Sequence, residues 1–303
     1  MALKDIKAKI LATKRMNKVT RAMEAVSAVK MRKTQNAALA GRAYARAALS
    51  ILTRLSGTES VKRHPLAEYR EGRKKTALVV LTSDKGLAGG LNSGVLKKAL
   101  EALGEHDKKD VTVYAYGRKG QEFFHNRGYT IAFSYINKGD EVPLEVMEEL
   151  AQMLSEGFLR GDYDKVVTAY SNFKSTFEQV PTVRRLLPLS LGALTDIVEG
   201  IVPAKGKWST EASLEAPASY EVEPSGEEIL GVLVPRLVAV SLYHMLLESK
   251  ASEHSARMVA MKNASDKSKE VAHDLTRKFN KVRQAAITRE VSEIVSGREA
   301  LAT

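Results

Sequence analysis

The hydrophobic patterning of this chain is interrupted only in its middle. Of its 20 glycines and 8 prolines, all but Gly41 and Gly297 fall between Gly57 and Pro235. Glycine and proline cost more in a helix interior than any other residues, so both ends read as long, nearly unbroken helices. At about 1.5 Å per residue, 1–56 would span roughly 84 Å and 227–296 roughly 105 Å. Either would overhang a compact domain, so the simplest arrangement pairs them antiparallel as a rod, with the middle folded separately.

Within the first helix, Leu3, Ile6 and Ile10 step 3-4, and Met16, Val19, Met23 and Val26 step 3-4-3. Both sets predict a seam on a partner helix. Ala37, Ala38, Ala40, Ala43, Ala45, Ala47 and Ala48 then offer a slim surface for close approach. The C-terminal helix keeps a stricter register. Met258, Met261, Ser265, Ser268, Ala272, Leu275, Phe279, Val282, Ala286 and Arg289 follow the coiled-coil spacing. Half of that seam is small or polar, so it predicts moderate rather than strong adhesion. Pro235 lies in the first turns and predicts a kink or a loosened start.

The middle alternates between short apolar runs and helical patterns. Thr76–Thr82, Val111–Tyr116, Tyr129–Ile136, Lys165–Tyr170 and Phe177–Leu187 read as strands. Leu91–Leu103, Lys119–Asn126 and Leu144–Leu159 read as helices. This spacing predicts a small Rossmann-like α/β domain with a largely parallel sheet, the last two strands forming an antiparallel edge. The expected organisation is a coiled-coil helix over 1–56, the α/β domain over 57–192, a surface excursion around Trp208 over 193–224, and a second coiled-coil helix over 225–303. The fold class is thus α/β plus a long antiparallel coiled coil made by the two terminal segments.

Charge sharpens this picture. The net charge is +11, and it resides in the first helix, where thirteen lysines and arginines face only Asp5 and Glu24 over 1–56. Such a helix repels itself and seeks an acidic counterpart: nucleic acid, anionic lipid or an acidic protein surface. It superficially suits a transit peptide but lacks serine enrichment and runs on without a break. The absence of cysteine excludes disulfides, Cys-ligated zinc and iron–sulfur clusters. No apolar run is expected to span a membrane, because the longest, Ile229–Val240, is cut by Pro235 and Arg236.

Candidate chemistry is sparse. The segment from Thr82 to Gly94 follows a strand and opens a helix, where phosphates often bind. However, Val95 and Leu96 stand where a Walker motif needs Lys and Ser/Thr, and the glycines do not give G-x-G-x-x-G. A tight turn that needs glycine for steric reasons explains it better. The six histidines are scattered without metal-ligand spacing, and no nucleophile has a recognisable base. No catalytic, cofactor-binding or metal-binding residues are expected.

Four stretches carry a resemblance. Lys18-Val-Thr-Arg-Ala-Met23-Glu-Ala-Val-Ser-Ala-Val-Lys30-Met31 is similar to K-I-T-K-A-M-x-M-V-A-A-x-K-M, departing at Val19, Arg21, Ala25 and Ser27. Ser83, Asp84, Gly86, Leu87, Gly89 and Asn92 match S-D-x-G-L-x-G-x-x-N. Ser252–Asp266 looks like S-E-x-A-A-R-M-x-A-M-x-x-A-T-D, and Asn280–Gly297 like N-K-x-R-Q-A-x-I-T-x-E-L-x-E-I-V-x-G. By these motifs the chain resembles the γ subunit of F-type ATP synthases.

The resemblance implies a central rotor shaft, a non-catalytic subunit that couples proton flow through a membrane rotor ring to ATP synthesis by turning inside the α/β ring. It implies the α and β subunits, the ε subunit and the membrane c-ring as partners, with nucleotide and Mg held by those partners and no cofactor on this chain. The expected location is the cytoplasmic face of the bacterial inner membrane, reached only through the complex. By motif match, Lys18, Thr20, Met23, Arg257, Arg283, Gln284 and Thr288 are the expected rotor-to-ring contacts or determinants of shaft geometry. A basic coiled-coil nucleic-acid-binding protein is the alternative. Against it, no aromatic residue interleaves the basic ones before Tyr44.

Overall fold

The computed structural model describes residues 3–55, 64–70, 75–104, 106–137, 142–189 and 226–302. The expected excursion over 193–224, with Trp208, lies outside the described residues, as do the side chains of the alanine-rich stretch from Ala38 onward. Two helices bracket the chain: α1 (Leu3–Leu55, 53 residues) and α5 (Gly226–Ala302, 77 residues). Between them come β1 (Thr76–Leu81), α2 (Leu91–Leu103), β2 (Val111–Tyr116) and α3 (Arg118–His125). They are followed by β3 (Thr130–Tyr135), α4 (Leu144–Arg160), β4 (Lys165–Phe173) and β5 (Gln179–Leu187). Pro235 does not end α5, which continues through it.

The chain forms two compact units, Ala28–Ala256 and Met1–Ser27 with Arg257–Thr303. In the first, a five-stranded sheet has the order β3-β2-β1-β4-β5. All neighbours are parallel except the β4–β5 pair, which is antiparallel as the sequence predicts. Phe177, expected to begin β5, instead sits in the β4–β5 turn. There Ser175 Oγ accepts from the Phe177 and Glu178 amides at 3.3 and 3.1 Å.

Strand β1 explains the layering. Its side chains alternate between two cores. Ala77, Val79 and Leu81 join α4 and the first part of α5, while Leu78 and Val80 join α2 and Phe124 of α3. The apolar beginning of α5 is therefore a core helix. Val234, Leu237, Val238, Leu242, Met245 and Leu246 all pack into the first core. An 18-residue window of this helix is apolar enough, at mean hydropathy 1.3, to cross a membrane on composition alone, which corrects the sequence expectation. That expectation stopped at Pro235 and Arg236, although the helix tolerates both. Packing against the sheet accounts for the apolarity.

The turn between β1 and α2 is built by the motif residues themselves. Asn92 Oδ1 accepts from the Ser83 amide (3.0 Å), Asn92 Nδ2 donates to Ser83 Oγ (2.7 Å), and Ser83 Oγ donates to the Lys85 carbonyl (2.7 Å). Asp84 Oδ1 accepts from the Arg118 amide at 2.9 Å, and Thr82 Oγ1 from the Gly120 amide at 2.8 Å. These polar groups are committed to the turn. Across from it, Gly117 has φ +99°, and a Cβ there would lie 2.1 Å from the Thr82 carbonyl oxygen.

Gly117→Ala is therefore expected to destabilise the protein by more than about 2 kcal/mol through backbone clash plus strain. Gly128→Ala, at φ +78° with nothing within 4 Å, should cost only about 1 kcal/mol. Urea unfolding of both variants checks the ranking. A second expectation concerns alkaline pH. Burial raises the phenol pKa of Tyr116, Tyr163 and Tyr170. Their folded forms stay protonated where the unfolded chain ionises, near pH 10. This contribution to stability is intact below about pH 10 and is lost as pH rises above it, by up to about 1.4 kcal/mol per pH unit for each tyrosine. Replacing Tyr116 with Phe should flatten the decline between pH 9 and 11.

Candidate functional site

The second unit contains the paired ends of α1 and α5. A polar contact marks their register: Asn17 Nδ2 donates to the Ser265 carbonyl at 2.6 Å and approaches Ser265 Oγ at 3.0 Å. On α5, the expected seam holds through Val282. Met261, Ser265 and Ala272 are buried, and Met258, Ser268, Leu275, Phe279 and Val282 are half-buried. Ala286 and Arg289, its last two expected members, are exposed. The reason is register. From the Asn17–Ser265 pairing, Leu3 lies level with about residue 279 at equal rise along the two helices. The remaining 23 residues of α5, roughly 34 Å of helix, extend past α1.

On α1 the seam is not the expected one. Leu3, Ile6 and Ile10 do face inward, Ile6 with no exposure. The stripe then continues through Thr13, Asn17, Thr20 and Ser27, which are buried or half-buried. Met16, Val19 and Val26 are more than half exposed, at 58, 54 and 52%. Only Met23 of that set is half-buried. Small polar residues serve in the seam because the helix satisfies them locally: Thr13 Oγ1 donates to the Lys9 carbonyl (2.8 Å) and Thr20 Oγ1 to the Met16 carbonyl (3.0 Å). Apolar periodicity alone pointed to the wrong face. The signal that would have found the right one is the unbroken 3-4 continuation of Leu3, Ile6 and Ile10.

The candidate residues separate by exposure. Lys18, Arg283, Gln284 and Thr288 are exposed; Thr20 and Arg257 are buried; Met23 is half-buried. Arg283, Gln284 and Thr288 share the stretch beyond α1, where every residue from Arg283 to Arg298 is exposed. That stretch carries Ile287, Val291, Ile294 and Val295, each at least half exposed. Their 4-3-1 steps place them along one side of the helix. Among the described residues, no group of three or more His, Asp or Glu forms a metal site.

The model of the ATP synthase family matches residues 2–301. The ATP synthase gamma chain of Roseiflexus castenholzii is 42% identical, covering 99% of this chain and 98% of the relative. The chain belongs to the ATP synthase gamma-chain family. The gamma chain of Pelotomaculum thermopropionicum is 38% identical over 99% of both chains. Among solved structures, the central stalk and c-ring of the Tetrahymena thermophila mitochondrial ATP synthase contains a chain with 27% identity and TM-score 0.59. That match covers 82% of this chain and 99% of the other. A chain of the Euglena gracilis mitochondrial enzyme shares the fold at TM-score 0.63 and 16% identity, covering 99% of this chain and 94% of that one. The nucleic-acid reading has no support in these relatives.

Asn17→Ala should remove the polar contact to Ser265, at a cost of about 1 kcal/mol. Amide hydrogen exchange around residues 13–21 and 261–269 should accelerate, while the α/β unit stays as protected as before. Unchanged exchange around Ser265 would show that register is held elsewhere.

Proposed function

We propose that this gamma chain is the central shaft of a proton-translocating ATP synthase and that its bare α5 segment turns inside a ring of α and β subunits. The observation that carries this reading is the run of sixteen exposed residues from Arg283 to Arg298. A single helix of that length is marginal in water, and its apolar side chains seek cover. A surrounding sleeve supplies both. The half-exposed faces of Met16, Val19 and Val26 on α1 suit the same environment.

In this reading the shaft performs no chemistry. Proton flow through the membrane c-ring turns it, and its asymmetry drives the catalytic sites of the β subunits through successive nucleotide affinities. Nucleotide and Mg are held by the partner subunits. The α/β unit sits toward the c-ring and the ε subunit, on the cytoplasmic face of the bacterial inner membrane. Lys18, Arg283, Gln284 and Thr288 are the proposed ring contacts, offering two cations, an amide donor and a hydroxyl to acidic or carbonyl groups. Thr20 and Arg257 set the geometry of the helix pair from inside it, and Met23 sits at the margin between the two roles. The basic first helix is drawn to acidic loops by a long-ranged, weakly register-dependent attraction, suited to a part that moves past them.

Proline at Ile287 tests the requirement for a stiff bare segment. It should cost about 3 kcal/mol or more locally and uncouple proton flow from ATP synthesis in the assembled enzyme. Coupling at the unaltered level, measured as ATP made per proton in proteoliposomes, would contradict the reading.

A further inference from the structure

From Ser249 to Ser255 every residue of α5 is buried, yet only Ala251 is apolar. A helix enclosed on all sides is ordinarily apolar all round, so burial alone does not explain this composition. Three of these side chains reach the sheet. Ser249 Oγ donates to the Leu81 carbonyl at 3.4 Å, Ser252 Oγ to the Ser171 carbonyl at 3.1 Å, and Ser255 Oγ to the Thr176 carbonyl at 2.6 Å. The acceptors belong to the end of β1, the end of β4 and the β4–β5 turn. That turn is also tied to the helix by Gln179 Nε2, which approaches Ser255 Oγ at 3.5 Å.

The spacing matters mechanically. Serines three residues apart on a helix step back by about 60° each, so the three bonds spread over roughly 120° of its circumference. Apolar contact is non-directional. Leu242, Met245 and Leu246 set which face of α5 meets the sheet, and the hydroxyl bonds add directional restraint to that packing. Hydrogen bonds weaken steeply when misaligned. Bonds to three separate segments at three azimuths resist both rolling and sliding. The buried Lys250–Glu253 ion pair (3.0 Å), with Lys250 Nζ 5.6 Å from the Tyr116 ring centre, lies within the same two turns.

We propose that Ser249, Ser252 and Ser255 form a rotational key that makes α5 and the α/β unit turn as one body. They act as positioning residues for rotary coupling. The inference rests on the shaft reading above. Satisfying open strand-end carbonyls is the bland account of the same bonds, and it predicts lowered stability without slip.

The test uses the complete ATP synthase in proteoliposomes with the triple variant Ser249→Ala, Ser252→Ala, Ser255→Ala. Alanine favours the helix and adds no bulk. A control variant, Leu242→Ala, loosens the core but leaves the three hydroxyls. The triple variant should hydrolyse ATP without a proton gradient within about twofold of the unaltered enzyme, while protons pumped per ATP fall about fivefold. Leu242→Ala should lower the melting temperature yet keep the normal proton-to-ATP ratio. An unchanged ratio in the triple variant, or an equal fall in both variants, would overturn the key. If the triple variant does not assemble, Ser252→Ala alone is measured in the same assay, with a reduced ratio supporting the key and a normal one overturning it. The shaft reading fails separately, if enzyme assembled without this chain pumps protons at the normal ratio.

Discussion

The contact between Asn17 and Ser265 marks how the two long helices are paired. It is polar and sits in a seam of small residues, so it fixes register more than it adds adhesion. That register leaves the last part of α5 without a partner on α1. It also turns Met16, Val19 and Val26 outward. Apolar helix surface therefore stays uncovered on both helices, at Met16, Val19 and Val26 and at Ile287, Val291, Ile294 and Val295.

The α/β unit solves a different problem. Its sheet buries β1 on both faces, with α2 and α3 on one side and α4 with the start of α5 on the other. The same helix that completes this core continues, unbroken from Gly226 to Ala302, into the pair with α1. Within the α/β unit, hydroxyl bonds from Ser249, Ser252 and Ser255 add directional contacts between the helix and the sheet to that apolar packing.

Much of this was legible in the sequence, for physical reasons. The bounds of α2 and β2 follow from glycine punctuation and alternating apolar runs, and the seam of α5 was read correctly as far as Val282. The motif residues Ser83, Asp84 and Asn92 were visible, and their task is to shape the turn after β1. Two things were hidden. The outward stripe on α1 has the same periodicity as a seam, and what separates them is the continuation of Leu3, Ile6 and Ile10 through the small polar residues Thr13, Asn17 and Thr20, which apolar patterning passes over. The core role of Val234–Leu246 was obscured because Pro235 and Arg236 interrupt the pattern without interrupting the helix. Among the seven candidate residues, spacing could not distinguish exposed Lys18 from buried Thr20 two positions away, because burial is set by the partner helix.

The pairing register is most directly tested by the distance between spin labels at Lys14 and Lys267, both exposed positions near the Asn17 contact. Neighbouring helix axes lie about 8–10 Å apart, and label arms extend the reading to roughly 20 Å. In the assembled enzyme the account predicts a single narrow distribution at or below that value. A broad distribution, or one centred far beyond the reach of adjacent helices, would contradict it.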